Sequence, residues 1–464
     1  MTDILEACID TKTVSLALEH ATAEYVNRHP QSKQMFERAC KSLPGGNTRT
    51  GVNFSPFPLY ADHGEGPYLY DLDGHRLLDF VNNATSLILG HADPDVVSAL
   101  QEQVARGTAF SRPMALEVEM AEFLRQRMPT LEKVRFCSSG TEAVLNCLRV
   151  ARAYTGKNMT AKFEGAYHGV DDHALVSYAV PVSPELGPSD RPRSVAVSEG
   201  LNAGVTDNVL VLPFNDPDAT EKLIDDHADQ LASIIIDPIS TAAGLTHPVE
   251  TFLPRLREIT KRKGILLIFD EIVSFRASPG GAHTLYEICP DLICLGKVVA
   301  GGTAGALFGG RENIMTFFDP SSGSPRIWQS GTFNANPIAL TAGLVTLQKM
   351  TGEAYNKLDA TVSYIGQSLQ ALFNDMGIKA TVVTIGSLFR VYFLPDAPRN
   401  YREAAQEDSA IHQWLFLSLI NRGIYWRNKG ICGISLPTER DHVDILVEAV
   451  RDTLSSAKSA LSNQ

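Results

Sequence analysis

Between Lys133 and Leu295 the chain alternates short apolar runs with longer stretches of helical periodicity, and no other feature narrows the fold as far. Lys133 to Cys137, Leu231 to Ile236, Ile265 to Phe269 and Leu292 to Leu295 read as strands, while Thr141 to Tyr154 and Phe252 to Arg262 read as helices with one apolar face. A strand with no polar alternation is covered on both faces. The rhythm therefore predicts an α/β fold with a mostly parallel, doubly wound sheet. Ligands of such sheets bind beyond the carboxyl ends of the strands.

The flanking sequence reads differently. Val14, Ala17, Leu18 and Ala21, then Phe36, Ala39, Cys40 and Leu43, fall at helical spacing, and Leu43-Pro-Gly-Gly46 ends the second helix. Tyr60 to Phe80 is cut by Asp-Gly turns into short strands. Helical spacing resumes over Pro94 to Val104 and Leu116 to Met128. After a long helix from Ile338 to Met350, strands near Ala380 to Thr384, Leu388 to Phe393 and Gly433 to Leu436, with a closing helix from His442 to Leu461, suggest a second α/β unit. The expected division is an N-terminal helix-and-strand arm (1–80), a large cofactor-binding domain (81–340) and a smaller C-terminal domain (341–464). Pro181 to Gly204 is rich in Pro, Ser and Gly and reads as a flap near the site.

A formal charge of -12 argues against nucleic-acid or anionic-membrane partners. The seven cysteines run from Cys8 to Cys432 without a Cys-x-x-Cys, so neither a disulfide framework nor a zinc site is expected. Met1 to Asp10 carries acids where a signal peptide would be basic, and no apolar run is long enough to cross a bilayer, so a cytoplasmic location is expected.

Polar residues cluster where strands end. Lys297 follows Leu292-Ile-Cys-Leu-Gly296 and precedes Gly301-Gly302; burial there would lower its pKa toward a nucleophilic amine, and the plain alternative is a loop lysine reaching water. Ser139-Gly140-Thr141 joins a strand to a helix N-terminus and suits a phosphate, or is an ordinary N-cap. Tyr167-His168 lies between glycines, and the aromatic face either covers a flat ring or packs in a tight turn. Asp270, directly after five apolar residues, is placed to hold a cation or to cap a helix, and Asp237 ends another strand. Thr332, in Gln329-Ser-Gly-Thr-Phe-Asn334, offers further phosphate donors. Phosphate donors, a stacking ring, an acid for a pyridinium and an amine for a Schiff base are together what pyridoxal phosphate requires.

Val134-Arg-Phe-Cys-Ser-Ser-Gly-Thr-Glu-Ala143, Phe163-Glu-Gly-Ala-Tyr-His-Gly169, Leu267-Ile-Phe-Asp-Glu-Ile272, Leu295-Gly-Lys297 and Ser330-Gly-Thr332 resemble, in order, the motifs of class III, fold-type I aminotransferases. The nearest branch is that of glutamate-1-semialdehyde aminomutase and the β-amino-acid (β-phenylalanine) aminotransferases. The resemblance implies a homodimer with shared active sites, with Lys297 forming the Schiff base, Asp270 holding the pyridinium and Tyr167 stacking on the ring. It further implies that Gly140 and Thr141 bind the phosphate and Thr332 the phosphate of the partner's cofactor. Ser139 and His168 complete the cofactor set.

For substrate, Arg49 in Pro44-Gly-Gly-Asn-Thr-Arg-Thr50 resembles the arginine by which β-amino-acid aminotransferases hold the substrate carboxylate; the alternative is a surface arginine on a loop. Lys429 stands where those enzymes carry an arginine, with Arg427 close by, and Asp237-Pro238 replaces the family's usual Glu-Pro. Asn82-Asn-Ala-Thr85 also differs from the aminomutase run. Three functions follow as expectations. They are transfer of an amino group from a β-amino acid or related amine to an oxo acid, intramolecular aminomutation, and non-catalytic binding on the same fold. The absence of Gly-x-Gly-x-x-Gly and of a P-loop counts against nucleotide use.

Overall fold

The computed structural model describes residues 11–321 and 323–462. The acidic segment Met1 to Asp10, with Cys8, lies outside the described residues. Two helices, Thr11–Arg28 and Pro30–Ala39, come first. His29 separates them because the residue before a proline is driven out of helical geometry. The strands β1 (Ala61–Glu65), β2 (Tyr68–Asp71) and β3 (Arg76–Asp79) then form an antiparallel meander.

The central sheet is built from β4 (Lys133–Cys137), β5 (Met159–Phe163), β6 (Val209–Leu212), β7 (Leu231–Ile236), β8 (Leu266–Asp270), β9 (Leu292–Gly296) and β10 (Ala306–Gly310). Their order is β4-β10-β9-β8-β7-β5-β6. From β9 through β6 every pairing is parallel, whereas β10 runs antiparallel to both β9 and β4. The reason for a doubly wound sheet is visible in single strands. In β8, Ile268 packs into one cluster with Val144, Cys147 and Leu148 of helix Gly140–Thr155, while Leu267 and Phe269 face a second cluster with Leu253 and Leu256 of helix Phe252–Lys263. β9 repeats this, with Cys294 on the first side and Ile293 and Leu295 on the other. Each such side chain contributes roughly 1.5–3 kcal/mol by leaving water.

Sequence periodicity does not disclose β5, β6 or β10. β5 carries a lysine, Lys162, among its five residues, and β10 ends in Gly309-Gly310, where a side chain at Gly309 would strike the Lys133 carbonyl of the adjacent strand. The expected helix over Ile338 to Met350 is found as Pro337–Lys349, and a second helix, Gly352–Asp375, follows a break at Met350-Thr351. Then come β11 (Thr381–Ile385) and β12 (Leu388–Tyr392), helix Ser409–Asn421, β13 (Ile424–Tyr425), β14 (Cys432–Gly433) and helix Arg440–Ser462. The last expected strand, Gly433 to Leu436, is paired only at Cys432–Gly433. Beyond it the Ile434 carbonyl accepts from Arg276, and Leu436 N–H donates to Ile88 O at 2.7 Å, so the ladder cannot continue.

Early and late elements of the described chain meet. β13 pairs in parallel with β3, extending the N-terminal meander, and helix Thr11–Arg28 lies against helix Ser409–Asn421. The stretch Pro181 to Gly204, expected as a flap, is fastened. The guanidinium of Arg402 donates to Gly187 O at 2.7 Å and Leu186 O at 3.0 Å while gripping both Glu164 oxygens, and Val195 N–H donates to Ser177 Oγ at 3.0 Å. Among the described residues no helix is long and apolar enough to cross a membrane.

Candidate active site

Parallel pairing of β8 with β9 sets Asp270 opposite Cys294, so Asp270 and Lys297 emerge from neighbouring strands at the same edge. Lys297 opens a short 3-10 turn, Lys297–Ala300, with φ +53, a conformation that costs a non-glycine residue about 1–2 kcal/mol. The turn is backed by helix Pro337–Lys349. At Gly301 (φ +59) a side chain would overlap the Ala342 carbonyl, so only glycine permits this approach. Burial lowers the Lys297 pKa from its usual value, and the charges of Asp270 and Asp237 oppose that shift.

The acid is fixed from two sides. Asp270 Oδ2 accepts from His168 Nδ1 at 2.7 Å, and Oδ1 accepts from Ile272 N–H at 3.1 Å. His168 is only 1% exposed, burial depresses its pKa below the ordinary imidazole value, and its buried Nε2 has no hydrogen-bond partner. The adjacent acid, Glu271, faces elsewhere. It accepts from the N–H groups of Ala282 and His283 at 2.6 and 3.0 Å and pairs with His283 Nδ1 at 2.8 Å. Two consecutive acids at a strand end thus escape the penalty of unpaired burial by pointing to different partners.

The loop bearing His168 rests on the helix N-terminus. Val170 N–H donates to Thr141 Oγ1 at 3.2 Å, and Gly169 (φ +92) lies where a side chain would meet Thr141. Ser139 caps helix Gly140–Thr155, its hydroxyl accepting from Glu142 N–H at 3.2 Å. The first-turn N–H groups of Gly140 and Thr141 then have no intrahelical acceptor and lie at the positive end of the helix dipole. Tyr167 is 40% exposed, with its ring 4.8 Å from that of Tyr178.

Lys162 organises this loop although sequence reasoning overlooks it. Its amine, fully buried on β5, donates to the carbonyls of Ala166, Ala174 and Val176 at 2.9, 2.6 and 2.6 Å, and burial brings its pKa down to about 7. A lysine in a strand carries no local sign of such a role.

Asp237, expected among the substrate contacts, is 8% exposed, and its carboxylate accepts from Ile239 N–H at 3.3 Å, Thr241 N–H at 2.9 Å and the Thr241 hydroxyl. Burial, reinforced by Asp270, raises its pKa to about 6. Thr332 is not placed with this group. It lines a cleft of about 940 Å³ with Phe110, Val118, Arg135 and Gln329, and that lining includes neither Lys297 nor Asp270.

Arg49 extends from its loop to donate to Asn83 Oδ1 at 2.9 Å. Asn83 belongs to an uncommon left-handed turn in which Asn82, Asn83, Ala84 and Thr85 all have positive φ. Leu87, two residues on, packs against Gly302 at the end of the Lys297 turn. The Arg427 guanidinium sits beside Gly51 in the Arg49 loop, and both arginines oppose the rise that burial imposes on the Tyr425 pKa. Lys429 is exposed at φ +47. The cation that stands with Arg49 is thus Arg427.

The family profile described as aminotransferase class-III matches residues 50–454. The chain belongs to the class III aminotransferases. Among relatives of this class III chain, a glutamate-1-semialdehyde 2,1-aminomutase from Methanothermobacter thermautotrophicus is 37% identical over 432 residues, covering 92% of this chain and 100% of its own. An omega-transaminase from Sphaerobacter thermophilus has a similar structure, with TM-score 0.90, 39% identity and coverage of 93% of this chain and 99% of its own. A beta-phenylalanine aminotransferase from Variovorax paradoxus superposes with TM-score 0.86 at 31% identity, covering 96% and 98%.

The class III site fits pyridoxal phosphate on its own chemistry. Two carboxylates, Asp270 and Asp237, face a lysine whose protonated form burial disfavours, so the pocket is short of positive charge in a way that a pyridinium corrects.

Proposed function

We propose that the chain is a pyridoxal-phosphate-dependent aminotransferase acting in the cytoplasm on a β-amino acid or related amine, with an oxo acid as acceptor. When bound, the cofactor supplies an electron sink for the carbanion formed as the substrate's Cα–H bond breaks. Lys297 is its covalent attachment point. The Lys297 amine, whose protonated form burial disfavours, would be the group that carries the proton from substrate carbon. Asp270 holds the ring nitrogen protonated, and His168 orients Asp270 through its 2.7 Å hydrogen bond. Gly140 and Thr141 offer N–H groups to the phosphate, and Tyr167 offers its face to the ring.

The observation that carries the substrate class is the pair Arg49 and Arg427. Among the described residues neither guanidinium forms an ion pair, although the catalytic pocket beyond is acidic. Two unneutralised forks of this kind call for a carboxylate. The omega-transaminase and beta-phenylalanine aminotransferase likenesses support that reading.

Adding amines singly and following loss of the cofactor's absorbance, then asking which oxo acid restores it, tests the proposal. Arg49→Ala is expected to raise KM for carboxylate-bearing amines about 10- to 100-fold, as loss of a charged hydrogen bond predicts, and to leave simple amines unaffected. Equal effects on both would overturn the assignment of Arg49. The relatives named glutamate-1-semialdehyde 2,1-aminomutase favour a second reading, intramolecular transfer. That reading requires turnover of glutamate 1-semialdehyde with no added acceptor.

A further inference from the structure

Far along the sequence from Lys297, three side chains meet where the first two helices touch the β2–β3 turn. His29, Asp71 and His75 each present one ligand atom, all within 4.8 Å of one another. Asp71 Oδ2 is 2.9 Å from His75 Nδ1 and 3.5 Å from His29 Nε2. Ligands about 2.0–2.1 Å from a tetrahedral zinc ion stand roughly 3.3 Å from each other, a spacing these two separations bracket.

The ring of His29 is held in a fixed orientation. His29 Nδ1 lies 2.7 Å from the Tyr25 carbonyl, which can only accept, so Nδ1 carries the ring proton. His29 is 1% exposed. Asp73 does not neutralise the ring, because its oxygens accept from Gln31 N–H at 2.7 Å and Ser32 N–H at 3.1 Å. With Nδ1 turned to the Tyr25 carbonyl, the other ring nitrogen, Nε2, faces Asp71 Oδ2 at 3.5 Å. A histidine whose second nitrogen donates to a backbone carbonyl is also the arrangement that orients metal-bound imidazoles.

We propose that His29, Asp71 and His75 form a binding site for a divalent transition-metal ion of the zinc type. The fourth position is open to water beside His75, whose side chain is 27% exposed. On binding, the His75 ring proton moves from Nδ1 to Nε2, freeing Nδ1 as a ligand with no net proton release. The ion fastens the junction of helices Thr11–Arg28 and Pro30–Ala39 to the β2–β3 turn, outside the catalytic pocket. This inference does not depend on the substrate reading.

The test uses untagged, full-length, cofactor-loaded protein stripped with a chelator and titrated with Co²⁺, then with Zn²⁺. The expected result is one equivalent of Co²⁺ per chain with a visible d–d spectrum that Zn²⁺ abolishes, together with a melting temperature that rises with Zn²⁺. His75→Gln, at the partly exposed position, keeps its cofactor content and circular dichroism but binds about a hundredfold or more weakly, and His29→Gln does the same. Absence of Co²⁺ uptake, or uptake unchanged in both variants, would overturn the proposal. So would NMR evidence that His29 Nε2 carries a proton in metal-exposed protein, because that nitrogen could not then be a ligand.

Discussion

Lys297 shows how a single residue can carry a constraint that its neighbours enforce. Its positive φ is unfavourable for lysine and persists because Gly301 and helix Pro337–Lys349 hold the turn, a form of strain that collects at functional sites. Borohydride treatment of the cofactor-loaded protein is expected to fix the cofactor on the peptide containing Lys297 and nowhere in Lys297→Ala, by mass spectrometry. Turnover in that variant should fall at least about 10²–10⁴-fold, the usual share of a general base. Asp237 gives a pH signature. Its folded pKa of about 6 stands above the ordinary 3.8, so between these values the folded state binds more protons than the unfolded. Stability of the cofactor-free protein should be fully present below about pH 4 and fall by on the order of 3 kcal/mol as pH rises through about 6. Urea titrations across that window should show the slope in the wild type and its absence in Asp237→Asn.

At the scale of elements, the left-handed turn Asn82–Thr85 positions the wall that meets Arg49. It is held by Asn82 Nδ2, which donates to Asp79 O at 3.2 Å and Gly433 O at 2.7 Å, and by Arg276 Nη1, which donates to Thr85 O at 2.8 Å. Asparagine tolerates this backbone better than alanine, so Asn82→Ala loses both the hydrogen bonds and the conformational preference. A loss of about 1–3 kcal/mol in urea unfolding is expected, and an unchanged midpoint would show that the turn is held without Asn82. This is also where sequence reading stops. Lys297 and Asp270 announce themselves because a charged residue follows an apolar run, whereas Arg49 is singled out only by the family resemblance. Lys162 and Arg276 do not, because the partners of Lys162 are carbonyls of the loop that follows its strand and those of Arg276 are a carbonyl and a hydroxyl from distant segments.

On the scale of the whole molecule, the cleft lined by Thr332 stands apart from the Lys297 group, and large apolar side chains surround that segment. Trp328 is 76% and Phe333 60% exposed, with Phe110 and Val118 nearby in the lining. A second copy seated there would cover this surface and bring its Thr332 to a neighbouring cofactor, as the homodimer expected from sequence requires. Light scattering should give twice the chain mass, and the double variant Trp328→Ser, Phe333→Ser should dissociate and lose cofactor together. A monomeric, active wild type would end that assignment.

The sequence by itself determined the covered parallel strands, the helices flanking them and the acid and amine at two adjacent strand ends, because those depend on local periodicity and on polar residues abutting apolar runs. Tertiary structure alone decided that β10 runs against its neighbours, that His168 holds Asp270, that Arg427 rather than Lys429 joins Arg49, and that His29 reaches Asp71. Apart from the pairing of β10 with β9, each of these rests on a contact between segments far apart in the chain, which no local pattern encodes.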